Sequence, residues 1–177
     1  MPIDHQQFRA ALGRFASGVT VVTTVDDGVD HAMTASAFTS VSLDPPQVLV
    51  CAHRTSRFHE AVRASGRWAV TILSDRGRAD SAWFADRGRP LAGQLDGHAH
   101  HRSPGGFALL DSGIAWMECW TSAIHDGGDH SIIVGDVLWA EVAEHDVDNP
   151  LLYFRSHYGT IVRSMQSEKT FQDDADA

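Results

Sequence analysis

Hydroxyl, guanidinium and imidazole groups crowd into one stretch of this chain, residues 31–59, HAMTASAFTSVSLDPPQVLVCAHRTSRFH. Thr34, Ser36, Thr39, Ser40 and Ser42 alternate with apolar residues between positions 33 and 43. Arg54, Thr55, Ser56 and Arg57 then stand together ahead of a helical pattern. Exposed N–H groups, hydroxyls and cations at a helix start form a seat for phosphate. An ordinary β-hairpin followed by a capped helix accounts for the same pattern equally well. Elsewhere His98, His100 and His101 invite a metal reading. They have no carboxylate or thiolate at a matching spacing, so they read as surface histidines and no metal is expected.

Other chemistries find no motif here. No GxGxxG follows a strand pattern and no GxxxxGK[ST] occurs, which argues against a Rossmann dinucleotide site and a P-loop. There is no GxSxG elbow, and Cys51 and Cys119 have neither a nucleophile motif nor a zinc spacing. Hydroxyls, arginines and histidines with aromatics nearby suit a phosphate-bearing aromatic cofactor, which would bring its own reactivity while the protein places it.

The elements that must position these groups are mostly strands. Residues 19–25, VTVVTTV, are dense in β-branched side chains, and Asp26-Asp27-Gly28 is a hairpin signal leading into the hydroxyl-rich stretch. Pro45-Pro46 interrupts that stretch, and residues 47–52 form a short apolar run. Phe58, Ala61 and Val62 predict a short helix ending near Gly66. A strand over 67–73 and a second short helix over 80–86 follow. Residues 87–106, rich in Gly and His, predict a long loop. Residues 114–124 and 131–142 predict two long strands around a polar turn, 125–130. Near the start, Phe8, Ala11, Leu12 and Phe15 share one helical face over residues 4–16. Asp4 and Gln7 suggest a capping box, and Gly18 a stop. This helix is expected to cover one end of a barrel. Strands paired as hairpins, without helical crossovers, predict a mainly β fold: an antiparallel barrel with a few peripheral helices.

Composition narrows the class. The chain of 177 residues suits one domain, expected over 1–165, with an acidic, disordered tail over 166–177. No apolar run approaches the roughly 18 residues of a membrane span, and the first residues carry no signal-peptide pattern. Two cysteines without a framework fit a reducing cytoplasm. A formal charge of −9 argues against nucleic-acid binding.

The runs GVTVVTT (18–24), MTASAFTSVSLDPPQVLVC (33–51) and TSRF (55–58), with Gly128-Asp129-His130 later, resemble the short-chain flavin reductase family. The likeness extends from about Phe8 to Val162. These proteins are the reductase components of two-component flavin-dependent monooxygenases. The resemblance implies the FMN-binding split barrel, a homodimer with flavin near its interface, and hydride transfer from NADH to FAD, with FMN as the alternative. Reduced flavin would then diffuse to a partner monooxygenase. FAD is favoured by the Arg-rich segment 54–57, and NADH by the lack of a compact basic cluster for a 2′-phosphate. A non-catalytic flavin-binding protein, or a pyridoxamine-phosphate-type oxidase on the same barrel, is the alternative.

Carried onto this sequence, the resemblance implies that Met33, Thr34, Ala35 and Ser36 lie along the isoalloxazine edge, the two hydroxyls meeting its polar atoms. Ser40 and Val41 would continue the wall, Ala52 and His53 would lie beneath the ribityl chain, and Ser56, Arg57 and Phe58 would hold the phosphate end. Phe84 would close over the flavin. His130 would contact the nicotinamide as the catalytic candidate. His31, Tyr153, Arg155 and Tyr158 would lie on the nucleotide's side. The residues alone leave plainer roles open: strand hydroxyls, a solvated helix charge, a turn histidine and edge packing.

Overall fold

The computed structural model describes residues 3–144 and 149–161. The expected tail over 166–177 lies outside the described residues. Twelve strands and three helices are present among those described: α1 (His5–Leu12), β1 (Ser17–Gly18), β2 (Thr20–Asp26), β3 (Val29–Ala35), β4 (Phe38–Leu43), β5 (Pro46–His53), α2 (Arg57–Ser65), β6 (Arg67–Leu73), α3 (Arg78–Ala85), β7 (His100–Arg102), β8 (Ala108–Leu110), β9 (Gly113–Gly127), β10 (His130–Val142), β11 (Leu152–Phe154) and β12 (His157–Gly159). No helix among them is long and apolar enough to cross a membrane.

Seven strands form one antiparallel sheet in the order β3-β2-β6-β9-β10-β5-β4. Its edges, β3 and β4, are joined through Ser36 and Ala37 alone. Laid flat, six inter-strand gaps would separate those edges by roughly 29 Å. The connection from Ala35 to Phe38 reaches at most about 11 Å, so the sheet must curl until its edges nearly meet. Register shifts in the β9–β10 ladder, one with Ser122 of β9 as the extra residue and one with Leu138 of β10, supply local bends. The result is an antiparallel barrel, as expected from the hairpin pattern, in the split form that the family resemblance implies. Gly135 belongs to this curvature: a Cβ there would stand 2.7 Å from the Trp68 ring and 3.0 Å from Cys119 Cβ.

One end of the barrel is plugged by α2. Ser56 caps it, its hydroxyl accepting the His59 N–H at 3.2 Å, and Gly66 ends it in the left-handed conformation. Phe58 and Val62 of α2 enter a core with Val22, Val50, Trp68, Cys119 and Ile133. Two tight hairpins hold β2 to β3 and β9 to β10. The first turns at Asp27 and Gly28, both with positive φ.

Several expectations change. The hydroxyl-rich stretch is two strands, broken at Ser36–Ala37 where the chain crosses the barrel's opening. The β9–β10 turn is Gly128–Asp129 alone, because the polar residues 125–127 continue the ladder. The 87–106 loop contains β7, which pairs with β8. The first helix stops at Leu12, Asp4 makes no side-chain cap, and Gly18 lies in β1. None of its residues is buried within this chain, so it does not cover the barrel end. Phe8, Leu12 and Phe15 are left exposed.

Candidate functional site

A cleft of about 420 Å³ opens between β3, the start of α2 and the end of α3. Its construction follows from β3 being a sheet edge. In an antiparallel ladder, alternate residues turn both main-chain groups toward the partner strand, and the others turn them away. The outward carbonyls of Asp30 and Ala32 accept from Gln94 Nε2 and Arg89 Nη2. Ala35 has the opposite parity, its carbonyl accepting the Thr20 hydroxyl at 2.8 Å. Two residues beyond Ala32, the next outward main-chain pair is that of Thr34, at the cleft. A planar ligand with an alternating donor–acceptor edge can pair there as another strand would.

Across the cleft, α2 begins. Its first amides, those of Arg57 and Phe58, have no partner within the helix. The Ser56 oxygen accepts from His59 N–H, which leaves its own proton available to a ligand. Arg57, Arg87 and Arg89 line the same cavity, and none is ion-paired among the described residues. Arg57 donates to the Arg89 carbonyl at 3.0 Å. The buried guanidinium of Arg89 donates to the carbonyls of Phe84 at 3.0 Å, Asp86 at 2.6 Å and Ala32. Burial, and then the charge of Arg57, lower its pKa. Three cations without a salt-bridge partner among the described residues, beside an amide-rich helix start, make a seat for an anion.

Between these two ends lies the Phe84 ring, fixed from behind. His98 packs on it with ring centroids 5.1 Å apart, and the Arg89 guanidinium lies 5.5 Å from its centroid. His98 is no surface histidine. It bonds Asp80 at 2.6 Å and stacks on Trp83. His100 bonds the His98 carbonyl at 2.7 Å, and His101 bonds Asp111 at 2.8 Å. At the far rim, β5 and β10 bring His53 and His130 into register, their rings edge-on with centroids 5.1 Å apart.

Of the residues singled out from the sequence, Met33, Thr34, Ala35, Ser36, His53, Ser56, Arg57, Phe58, Phe84 and His130 line this cleft. The Thr34 hydroxyl, expected to face a ligand, donates instead to the Ser81 carbonyl at 2.7 Å and ties β3 to α3. Ser40 and Val41 lie exposed on edge strand β4, away from the lining. Ala52 points into the core, the face opposite Cys51 and His53. His31 also lies outside the lining. Burial lowers its pKa, and its Nδ1 is buried without a hydrogen-bond partner among the described residues. Tyr153 and Arg155 line a second cleft of about 440 Å³, which meets the first at Ser36 and Ala37. Tyr158 is held by Ser81 at 2.8 Å, between α3 and β12. Thr55, part of the hydroxyl-rich helix start read from the sequence, lines the cleft, and Arg87 and Arg89 join it unforeseen. The two arginines sit in a stretch with no periodicity, and their only sequence signal is their charge.

A flat polar edge, an aromatic cover and a phosphate seat in one cavity fit a flavin. The comparisons agree. Residues 12–162 match the Flavin reductase like domain. The chain belongs to the flavin reductase-like family. It is 34% identical over 175 residues to the reductase subunit HsaB of a flavin-dependent monooxygenase from Rhodococcus jostii, covering 99% of this chain and 87% of that one. It is 38% identical over 162 residues to a flavin reductase (NADH) from Kitasatospora aureofaciens, covering 88% and 81%. Among solved structures, the NADH:FAD oxidoreductase SgcE6 of Streptomyces globisporus, in complex with NAD and FAD fragments, superposes with a TM-score of 0.85. Its identity is 30%, over 92% of this chain and 96% of that one. The span of the family match coincides with the likeness read from the sequence motifs.

Proposed function

We propose that this protein is an NADH-dependent flavin reductase that binds FAD in preference to FMN, works as a homodimer, and delivers reduced flavin to a partner monooxygenase. The observation that carries this reading is the pairing, within one cleft, of the free main-chain edge at Thr34 with the cationic, amide-rich start of α2. When bound, the flavin supplies the chemistry by accepting hydride from the nicotinamide. The chain's own residues bind, align and exclude. The Thr34 main chain meets the ring's polar edge. The amides of Arg57 and Phe58, with the Ser56 hydroxyl and the Arg57 guanidinium, hold the phosphate. Phe84 covers one side of the ring system, and His130 meets the nicotinamide at the rim. Hydride transfer between stacked rings needs no protein base, only approach of the reacting atoms to about 3–3.5 Å. The cleft accordingly holds donors and a cover, and burial raises the pKa of the Cys51 thiol in its lining.

Three further assignments rest on lesser features. The unpaired cysteines fit the cytoplasm. Phe8, Leu12 and Phe15, exposed in one chain, are surfaces for a second copy to cover. FAD is preferred over FMN because three arginines line the cleft, more than one phosphate requires.

The deciding experiment measures oxidation of NADH and of NADPH with FAD, FMN and riboflavin each supplied. Turnover is expected with NADH and fastest with FAD. His130→Ala is expected to raise the KM for NADH roughly tenfold, the loss of one hydrogen bond of about 1.4 kcal/mol, with flavin affinity unchanged. No NADH oxidation with any flavin would overturn the reading.

A further inference from the structure

The tip of the β9–β10 hairpin places one carboxylate between two imidazoles. Asp129 Oδ1 lies 2.7 Å from His130 Nδ1, and its Oδ2 lies 3.8 Å from His53 Nε2. A hydrogen bond from His130 holds the Asp129 carboxyl below the usual carboxylate range, so at neutral pH it is ionised and can only accept. Nδ1 of His130 therefore carries the proton. Nε2 of the neutral ring keeps its lone pair and has no partner among the described residues. His53 is the reverse case. Its Nδ1 accepts the Thr55 main-chain N–H at 3.2 Å, which puts its proton on Nε2, on the side of Asp129. The two rings that meet at the cleft rim are thus held in opposite tautomers, and Asp129 is the group common to both.

We propose that Asp129 is a positioning residue: by keeping the His130 proton on Nδ1, it presents Nε2 to the cleft as an acceptor for the carboxamide N–H of a nicotinamide. This rests on the assignment of His130 to the nicotinamide. An unanchored imidazole exchanges its tautomers and turns about its side-chain bonds. The population protonated at Nε2 would then offer the carboxamide nitrogen a donor where an acceptor is needed. The Asp129 side chain is 77% exposed on a two-residue turn, so replacing it takes nothing from the core.

Imidazole ¹⁵N NMR of the folded protein without nucleotide reads the tautomer directly, with His130→Ala used to assign the signals. Wild type is expected to show an unprotonated Nε2 on His130. In Asp129→Asn the side-chain amide can donate to Nδ1, which moves the proton to Nε2, as happens when the aspartate of a catalytic triad becomes asparagine. Asp129→Ala should show a mixture. In kinetics, Asp129→Asn is expected to raise the KM for NADH roughly tenfold, with saturating kcat within about threefold and flavin Kd within about twofold of wild type. A proton on Nε2 of wild-type His130, or an unchanged tautomer in both variants, overturns the proposal. A rise in KM confined to His130→Ala overturns the role of Asp129 alone. A tautomer shift with no NADH effect in either Asp129→Asn or His130→Ala removes the nicotinamide assignment and the proposal with it.

Discussion

Arg89 offers the most searching test of how the cleft is built. The residue is 8% exposed, and its guanidinium holds carbonyls on both sides of the cavity, Ala32 on β3 and Phe84 and Asp86 at the end of α3. Replacement by methionine keeps the length and most of the volume and removes the donors and the charge. The carbonyls of the buried residues Ala32 and Phe84 lose a donor, and each costs about 1–3 kcal/mol when left unsatisfied. The Asp86 carbonyl belongs to an exposed residue and can take water instead. Against this loss stands the relief of a buried cation with no carboxylate partner, an effect of several kcal/mol in the opposite direction. The opposing effects leave a net loss of about 1–2 kcal/mol, or a Tm lower by roughly 2–8 °C for a chain of this size.

Binding should suffer more than folding, because only the folded cleft uses the charge. Removal of one charge-assisted contact, together with the clip between β3 and α3, is expected to weaken FAD roughly tenfold or more. Urea unfolding followed by tryptophan fluorescence measures the first quantity, and titration of flavin fluorescence the second. A stability loss of about 5 kcal/mol or more would mean that the cation is strongly stabilising in the free protein, contrary to its lack of an ion-pair partner among the described residues. FAD affinity within twofold of wild type would refute the claim that Arg89 holds the two walls in binding geometry.

Two further outcomes follow from the same geometry. Ser56→Ala removes the α2 cap and should cost about 1 kcal/mol. It should weaken FAD and FMN but not riboflavin in parallel titrations, since the hydroxyl serves the phosphate end; equal weakening of riboflavin would show that it does not. His59 is buried against Ser131, and burial, then the charges of Arg63, Arg54 and His53, lower its pKa below 6.5. Its folded form resists protonation, so the stability it contributes is complete above pH 6.5 and is lost as pH falls toward the depressed folded value. Tm measured from pH 7.5 to 5.5 should therefore decline, and less steeply in His59→Gln, with His31 contributing in the same direction.

How much of this was legible beforehand depends on which groups carry the signal. The limits of α2 were readable because Ser56 and Gly66 are local punctuation, a cap and a left-handed stop that need no tertiary context. The strand β6 was readable from 67 to 73 because Trp68, Val70, Thr71 and Ile72 concentrate β-branched and aromatic side chains in it. The first helix was misjudged in length because its apolar spacing continues to Phe15, and that spacing fixes a face without fixing what the face meets. Arg89 was invisible: a single arginine in a stretch of Gly, Pro and His has no period to place it, and only the fold brings it back to β3.

The position of Ala52 could have been found from the sequence, and the reason is instructive. Successive side chains of a strand face opposite sides, so if His53 faces the cleft then Cys51 does too and Ala52 cannot. β5 obeys this parity, with Val48, Val50 and Ala52 in the core. The same rule applied to the main chain of β3 marks Asp30, Ala32 and Thr34 as one outward set, but only once β3 is known to be an edge. Edge status is a property of the whole sheet order, which no local pattern states. The Thr34 hydroxyl draws attention to a residue of the cleft lining, but that hydroxyl ties down α3, while strand parity turns the residue's N–H and C=O outward from the sheet edge. A Thr34→Val variant separates the two, since it removes the tie to Ser81 and leaves the main-chain edge in place. Flavin affinity that survives this change, with stability lowered by about 1 kcal/mol, is what an edge built from main chain requires.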